Sequence, residues 1–202
     1  MEDKAKFLQF AIAKFTEFGS KRFTLDDLAR EMGISKKTIY QHFINKEAIV
    51  CESLVLLLAK IKLEILESVK KEKSNPILGV ISIYRIGLDY LKNFNPTFLF
   101  GLKKYYPKAN EEFINFRKHE INELVLKLLK KAAINGHIRE NVNVELTSEL
   151  YLNRLEFILF TSNNLFERYS KKEILEHLII NNIRGIATEG YLKENNLEID
   201  LS

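Results

Sequence analysis

Apolar side chains recur at helical spacing along almost the whole chain, and nothing else in the sequence restricts the fold so strongly. Phe7, Ala11, Phe15 and Phe18 stand at i, i+4, i+8 and i+11, the stripe of an amphipathic helix, while the strict alternation of a strand is hard to find. Eight Gly and three Pro among 202 residues are too few to punctuate a many-turned sandwich or barrel. With 46% hydrophobic residues the chain can still bury a real core. The expectation is an all-α protein of about nine helices.

Local signals set the elements. Residues 3–18 read as a helix closed by Gly19. Thr24 opens a second helix, running to Met32, with Asp27 three residues on as in a capping box. Gly33-Ile34 makes a tight turn, Ser35 caps a short helix over 36–42, and Asn45 caps a long one from Lys46 to about Lys71. Ser74-Asn75-Pro76 is the clearest break, with Pro76 at a first helical position. Pro96 and Pro107 punctuate again, giving helices near 76–93, 97–105 and 107–134. Asn135-Gly136-His137 stops the last of these, and two more follow at about 144–168 and 171–192. The division expected is a small domain at 1–48 and a larger helical one at 49–202.

Several chemistries find no support. One cysteine, Cys51, excludes an internal disulfide or a multi-Cys metal site within the chain. It reads more readily as a small buried hydrophobe than as a redox switch. Four histidines are scattered, no pair sits at metal-ligand spacing, and His119-Glu120-Ile121-Asn122-Glu123 lacks the second His of a zinc-protease helix. Neither a nucleophile motif, a phosphate-binding glycine loop nor a dinucleotide fingerprint is present. The reading is a non-enzyme with no metal and no cofactor. No apolar run approaches the ~18 residues of a membrane span, so no membrane partner and a cytoplasmic location are expected. The net charge of +4 permits nucleic-acid binding without demanding it, and it is spread evenly, +2 on residues 1–50 and +2 on the rest.

Residues 24–46 carry the chemistry. Two short helices joined by a Gly-containing turn make a helix-turn-helix. Ala29 is small where the helices cross, Gly33 supplies the positive φ of a sharp turn, and Ile39 joins Leu28 and Phe43 in a small core. Lys36, Lys37, Tyr40 and Gln41 are left on the outer face, which suits a major groove. The run Gly33-Ile34-Ser35-Lys36-Lys37-Thr38-Ile39-Tyr40-Gln41-His42-Phe43-Ile44-Asn45-Lys46-Glu47 closely resembles the DNA-binding domain of the TetR/AcrR transcriptional regulators. There, Thr-Ile/Leu-Tyr-x-His/Tyr-Phe-x-Asn/Ser-Lys-Glu follows the turn. The resemblance spans residues 3–50. It implies Thr24 at a phosphate and Lys36, Lys37, Thr38 and Gln41 at or near base edges, Lys37 as the direct reader. Tyr40 and His42 would clamp phosphates, and Lys46 would meet another at the N-terminus of the fourth helix. Bland roles stand beside these: Thr24 also caps its helix, Tyr40 adjoins core residue Ile39, and a solvated surface side chain is the alternative for His42, with phosphate contact the favoured reading.

The remainder is rich in aromatics, with nine between Tyr84 and Phe116. At helical spacing such residues are usually core. The resemblance adds an inducer pocket for a small hydrophobic effector, with Tyr84, Phe98, Tyr105, Phe113 and Phe157 as candidate lining. Glu120 and Glu123 would neutralise a cationic ligand if they pointed inward, but helical carboxylates are mostly solvated. Leu146, Leu150, Leu155, Leu159 and Phe166 share one face of the next-to-last helix, and Leu175, Ile179, Ile183 and Ala187 share one face of the last. Either the rest of the chain covers these faces, or a homodimer joins through this helix pair, as the resemblance implies. The function implied is a ligand-responsive dimeric repressor on a palindromic operator in double-stranded DNA, with half-sites about 34–36 Å apart. An activator or effector-independent DNA-binding protein is the rival, and a helical small-molecule binder or enzyme a more distant one.

Overall fold

The computed structural model describes the backbone of residues 2–160, 165–195 and 197, and the side chains of these except residues 2, 3 and 156–160. The described residues are helical apart from turns and one isolated antiparallel bridge, Ile138 to Ala187. They form α1 (Glu2–Phe18), α2 (Leu25–Met32), α3 (Lys36–His42), α4 (Lys46–Lys71), α5 (Pro76–Lys92), α6 (Pro96–Tyr105), α7 (Pro107–Asn115) and α8 (Asn122–Ile134). After these come α9 (Val144–Phe160), α10 (Lys171–Leu175), α11 (Asn181–Ile186) and α12 (Glu189–Glu194). The all-α architecture stands as expected.

Two compact units make up the chain, and they do not follow a boundary at residue 48. The first holds residues 1–62 and 93–116, that is α1–α3, most of α4, α6 and α7; the second holds residues 63–92 and 117–202. In the first unit Phe15, Leu28, Ile39, Ile49, Leu54, Phe98 and Leu102 are almost wholly buried. The α6 segment is recruited by the end of α1: the Asn95 N–H donates to the Thr16 carbonyl at 2.7 Å, and the Tyr106 hydroxyl donates to the Ser20 carbonyl at 3.1 Å. The second unit packs Ile77, Val80, Leu88, Val125, Leu129, Leu175, Ile179 and Ile183 into its own core.

Two stretches depart from the helices expected. Residues 107–134 are continuous in helical sense, but Phe116–Ile121 widens to a π-helix between α7 and α8. The wider turn lets two consecutive side chains, Phe116 and Arg117, both be buried. The expected 171–192 helix widens likewise at Glu176–Ile180, where Leu178, Ile179 and Ile180 are all buried, and it breaks at Ala187. Thr188 explains the break. Its hydroxyl accepts the Tyr191 N–H to cap α12 and donates to the Gly136 carbonyl, while its own N–H donates to the His137 carbonyl at 3.0 Å. Thr161, Ser162, Asn163 and Asn164, inside the expected 144–168 helix, lie outside the described residues.

The face Leu175, Ile179, Ile183 and Ala187, expected as available to a second copy, is at most 5% exposed in the single chain. The second unit itself covers that face. On α9, by contrast, Leu146 and Leu150 are 52% and 47% exposed.

Candidate nucleic-acid interface

Three local devices in the first unit hold the helix-turn-helix together. Thr24 is the N-cap of α2: its N–H donates to the Asp27 carboxylate at 2.9 Å, its hydroxyl donates to the same carboxylate at 2.7 Å, and the Asp27 N–H returns a bond to that hydroxyl. The Thr24 bonds, with Arg30 2.6 Å from the other oxygen, hold the Asp27 carboxyl at about 2. Gly33 ends α2 in the left-handed region at φ 65°, its N–H bonding back to Ala29 and Arg30 carbonyls. Ser35 then caps α3, accepting the Thr38 N–H at 3.0 Å and sharing a 2.9 Å hydroxyl contact with Thr38.

The core beneath follows from spacing. Leu28, Ile39 and Phe43 are 0%, 1% and 4% exposed, and Phe43 stacks on Phe7 with centroids 5.2 Å apart. With Ile39 inward, α3 turns its other faces to solvent. Lys37, Tyr40, Gln41 and His42 are exposed, Tyr40 by 53%. Lys37 has no hydrogen-bonding or ionic partner among the described residues.

The remaining expected contacts are more constrained. Lys36 is ion-paired with Asp26 at 2.7 Å, and this bond raises the lysine's pKa. The Thr24 and Thr38 hydroxyls are engaged in caps. Lys46 does not project from the start of α4: its ammonium donates to the Phe23 carbonyl at 2.7 Å and lies 5.7 Å from the centre of the Phe15 ring, half-buried, with its pKa lowered by burial. Asp26, the ion-pair partner of Lys36, is the residue that sequence reasoning missed. A capping spacing marks Asp27, whereas no local spacing marks the pairing of Asp26 with a lysine ten residues later.

The candidate ligand-binding residues are not brought together. Phe98 and Phe113 are buried in the first unit, and Tyr105 is 38% exposed there with the Lys21 ammonium bonded to its hydroxyl at 3.1 Å. Tyr84 is buried in the second unit, edge-on to Tyr151 with centroids 6.1 Å apart, and burial raises its phenol pKa. Phe157 lies in α9, but its side chain is outside the described residues. The second unit does contain a cavity of about 530 Å³, lined by Arg154, Leu165, Tyr169, Glu173, Ile174, His177 and Leu178. None of the four described candidates is among these. Glu120 and Glu123 are exposed. Burial and neighbouring glutamates raise the Cys51 thiol, and no cluster of His, Cys, Asp or Glu among the described residues suits a metal. No described helix is long and apolar enough to cross a membrane.

Comparison with known proteins gives four findings. Residues 7–52 match the model of the bacterial regulatory proteins of the tetR family. The uncharacterized HTH-type transcriptional regulator YvaF of Bacillus subtilis (strain 168) is 27% identical over 168 residues, 83% of this chain and 87% of that protein. The fold is similar to that of PfmR, a TetR family transcriptional regulator from Thermus thermophilus (TM-score 0.64, 24% identity, 88% of this chain and 97% of that one). It is similar also to the transcriptional regulator FadR from Bacillus subtilis in complex with stearoyl-CoA (TM-score 0.68, 16% identity, 90% and 98%).

Proposed function

We propose that the chain is a transcriptional regulator of the tetR family, whose model its residues 7–52 match, and that it is a dimeric repressor released from a palindromic operator by a small hydrophobic effector. One observation carries the DNA-reading role: Lys37 stands exposed and unpartnered among the described residues, near the N-terminus of a helix whose opposite side is anchored by Ile39. A free ammonium there can reach guanine O6 and N7 in the major groove. Gln41, one turn along the same helix, supplies both a donor and an acceptor, while Tyr40 and His42 meet backbone phosphates.

A seven-residue recognition helix reads few base pairs, so specificity calls for two copies on two half-sites. Exposed Leu146 and Leu150 on α9 support a dimer surface there. The cavity in the second unit has the volume of a small-molecule site, and its apolar wall of Leu165, Ile174 and Leu178 favours a hydrophobic effector. The proposed control is a population shift: the effector binds the DNA-incompetent conformation more tightly than the competent one. Helix α4 contributes residues to both units and is the element through which such a shift passes.

The test is selection of bound duplexes from a random library, run in parallel with Lys37→Ala. A palindrome enriched by the native protein and lost in the variant supports the reading. Enrichment of the same palindrome by both proteins removes Lys37 from the site, and enrichment of no sequence after refolding from denaturant removes specific DNA binding altogether.

A further inference from the structure

Six cations of the first unit make a contrast. Lys4, Lys14, Arg30 and Lys36 each hold a carboxylate, from Glu52, Glu31, Asp27 and Asp26 in turn, at 2.6–2.7 Å. Lys21 and Lys104 do not. Both converge instead on one aromatic ring: the Lys21 ammonium lies 4.3 Å and the Lys104 ammonium 5.4 Å from the centroid of Tyr105. Neither has a carboxylate partner among the described residues. The end of α6, where helix carbonyls favour positive charge, accounts for Lys104. It does not account for Lys21, which enters from the α1–α2 turn and adds like charge to the same place.

Two ammoniums held together by a π-face form an arrangement that lacks an anion. The Tyr105 hydroxyl accepts the Lys21 N–H bond at 3.1 Å, which leaves its own proton free to donate. The lysines also lower the Tyr105 pKa, as a local excess of positive charge requires. Phe100, 61% exposed, has the Lys104 ammonium 5.9 Å from its centroid, so the cluster stands open to solvent.

We propose that Lys21, Lys104 and Tyr105 form a phosphate-binding patch for the backbone of duplex DNA, in the same unit as the groove-reading helix. Continuity selects DNA: Lys21 lies three residues before Thr24, the cap of α2, in the turn from α1 that leads into the helix-turn-helix. The patch carries no base discrimination, because ammoniums and a phenol that meet phosphate oxygens are blind to sequence. This inference rests on the DNA-binding reading above but fails separately from it.

The experiment measures the affinity of the full-length protein for a random-sequence duplex across a salt series. Each lysine that neutralises a phosphate adds about 0.9 to the slope of log affinity against log salt. Lys21→Gln and Lys104→Gln are each expected to reduce that slope by about 1, and to weaken binding equally for every sequence. Lys127→Gln, an exposed lysine of the second unit, removes the same charge and is expected to leave the slope unchanged. Tyr105→Phe, which keeps the ring, is expected to weaken binding without altering the slope. An unchanged slope in a Lys21→Gln/Lys104→Gln double variant, beside a native protein that binds DNA, overturns the patch alone. The same holds if Lys127→Gln lowers the slope as much. A native protein that binds no duplex at low salt overturns the patch and the DNA-binding reading together.

Discussion

Adjacent lysines on α3 play different parts because of one acid on α2. Lys37 has no partner among the described residues, whereas Lys36 is held by Asp26, so under the proposed function Lys37 is the base reader. Lys37→Ala is therefore expected to lose about 1–3 kcal/mol of discrimination at a single base-pair position, measured by competition between the operator and single-base variants. Asp26→Asn releases Lys36 and removes the negative charge beside it. It is expected to raise affinity for random duplex several-fold, with a steeper salt dependence, and an affinity equal to the native protein's would show that Lys36 stays away from phosphate. The capping carboxyl has a pH consequence. The folded pKa of Asp27, about 2, lies below its unfolded value near 3.9, so its stabilisation is present above the unfolded pKa and is lost as pH falls from about 4 towards 2. In acid titrations followed by circular dichroism, Asp27→Asn is expected to flatten that part of the stability profile.

Elements show where a sequence can be read and where it cannot. The caps of α2 and α3 were legible because Thr24 with Asp27 and Ser35 with Thr38 are three residues apart, within one helical turn. The role of Lys46 was not, since its partner is the Phe23 carbonyl, which only the fold brings near. The π-turns were equally hidden: helical periodicity marks one buried residue in three or four, and gives no notice of Leu178, Ile179 and Ile180 all facing inward. Two glycines at helix ends make a quantitative comparison. Gly33 (φ 65°) has open space around the site of a Cβ, so Gly33→Ala is expected to cost only the left-handed conformation, roughly 1–2 kcal/mol. At Gly19 (φ 87°) a Cβ would meet the Thr97 Oγ1 at 2.5 Å, so Gly19→Ala is expected to cost more. Adding Thr97→Ala is expected to recover part of the excess in a double-mutant cycle by urea denaturation; strict additivity would show that the contact carries no strain.

At the scale of the whole molecule, the proposed dimer needs an apolar surface that the single chain leaves open. Sequence alone offered two faces, and burial removes the one on the last helices. Leu146 and Leu150 remain outside, one turn apart on α9. Leu150→Arg is expected to shift the protein to a monomer in analytical ultracentrifugation while its helical circular dichroism is retained. Operator affinity is expected to fall in parallel, because one copy then holds one half-site. A dimer that persists in this variant places the contact elsewhere.

The bridge between Ile138 and Ala187 bears on the order in which the molecule is made. Every element of the first unit has been synthesised by residue 116, whereas the second unit cannot close this pairing until roughly seventy residues later, several seconds at about 5–20 residues per second. A ribosome that stalls in that interval leaves a chain holding every element of the first unit, without the segment that completes the second.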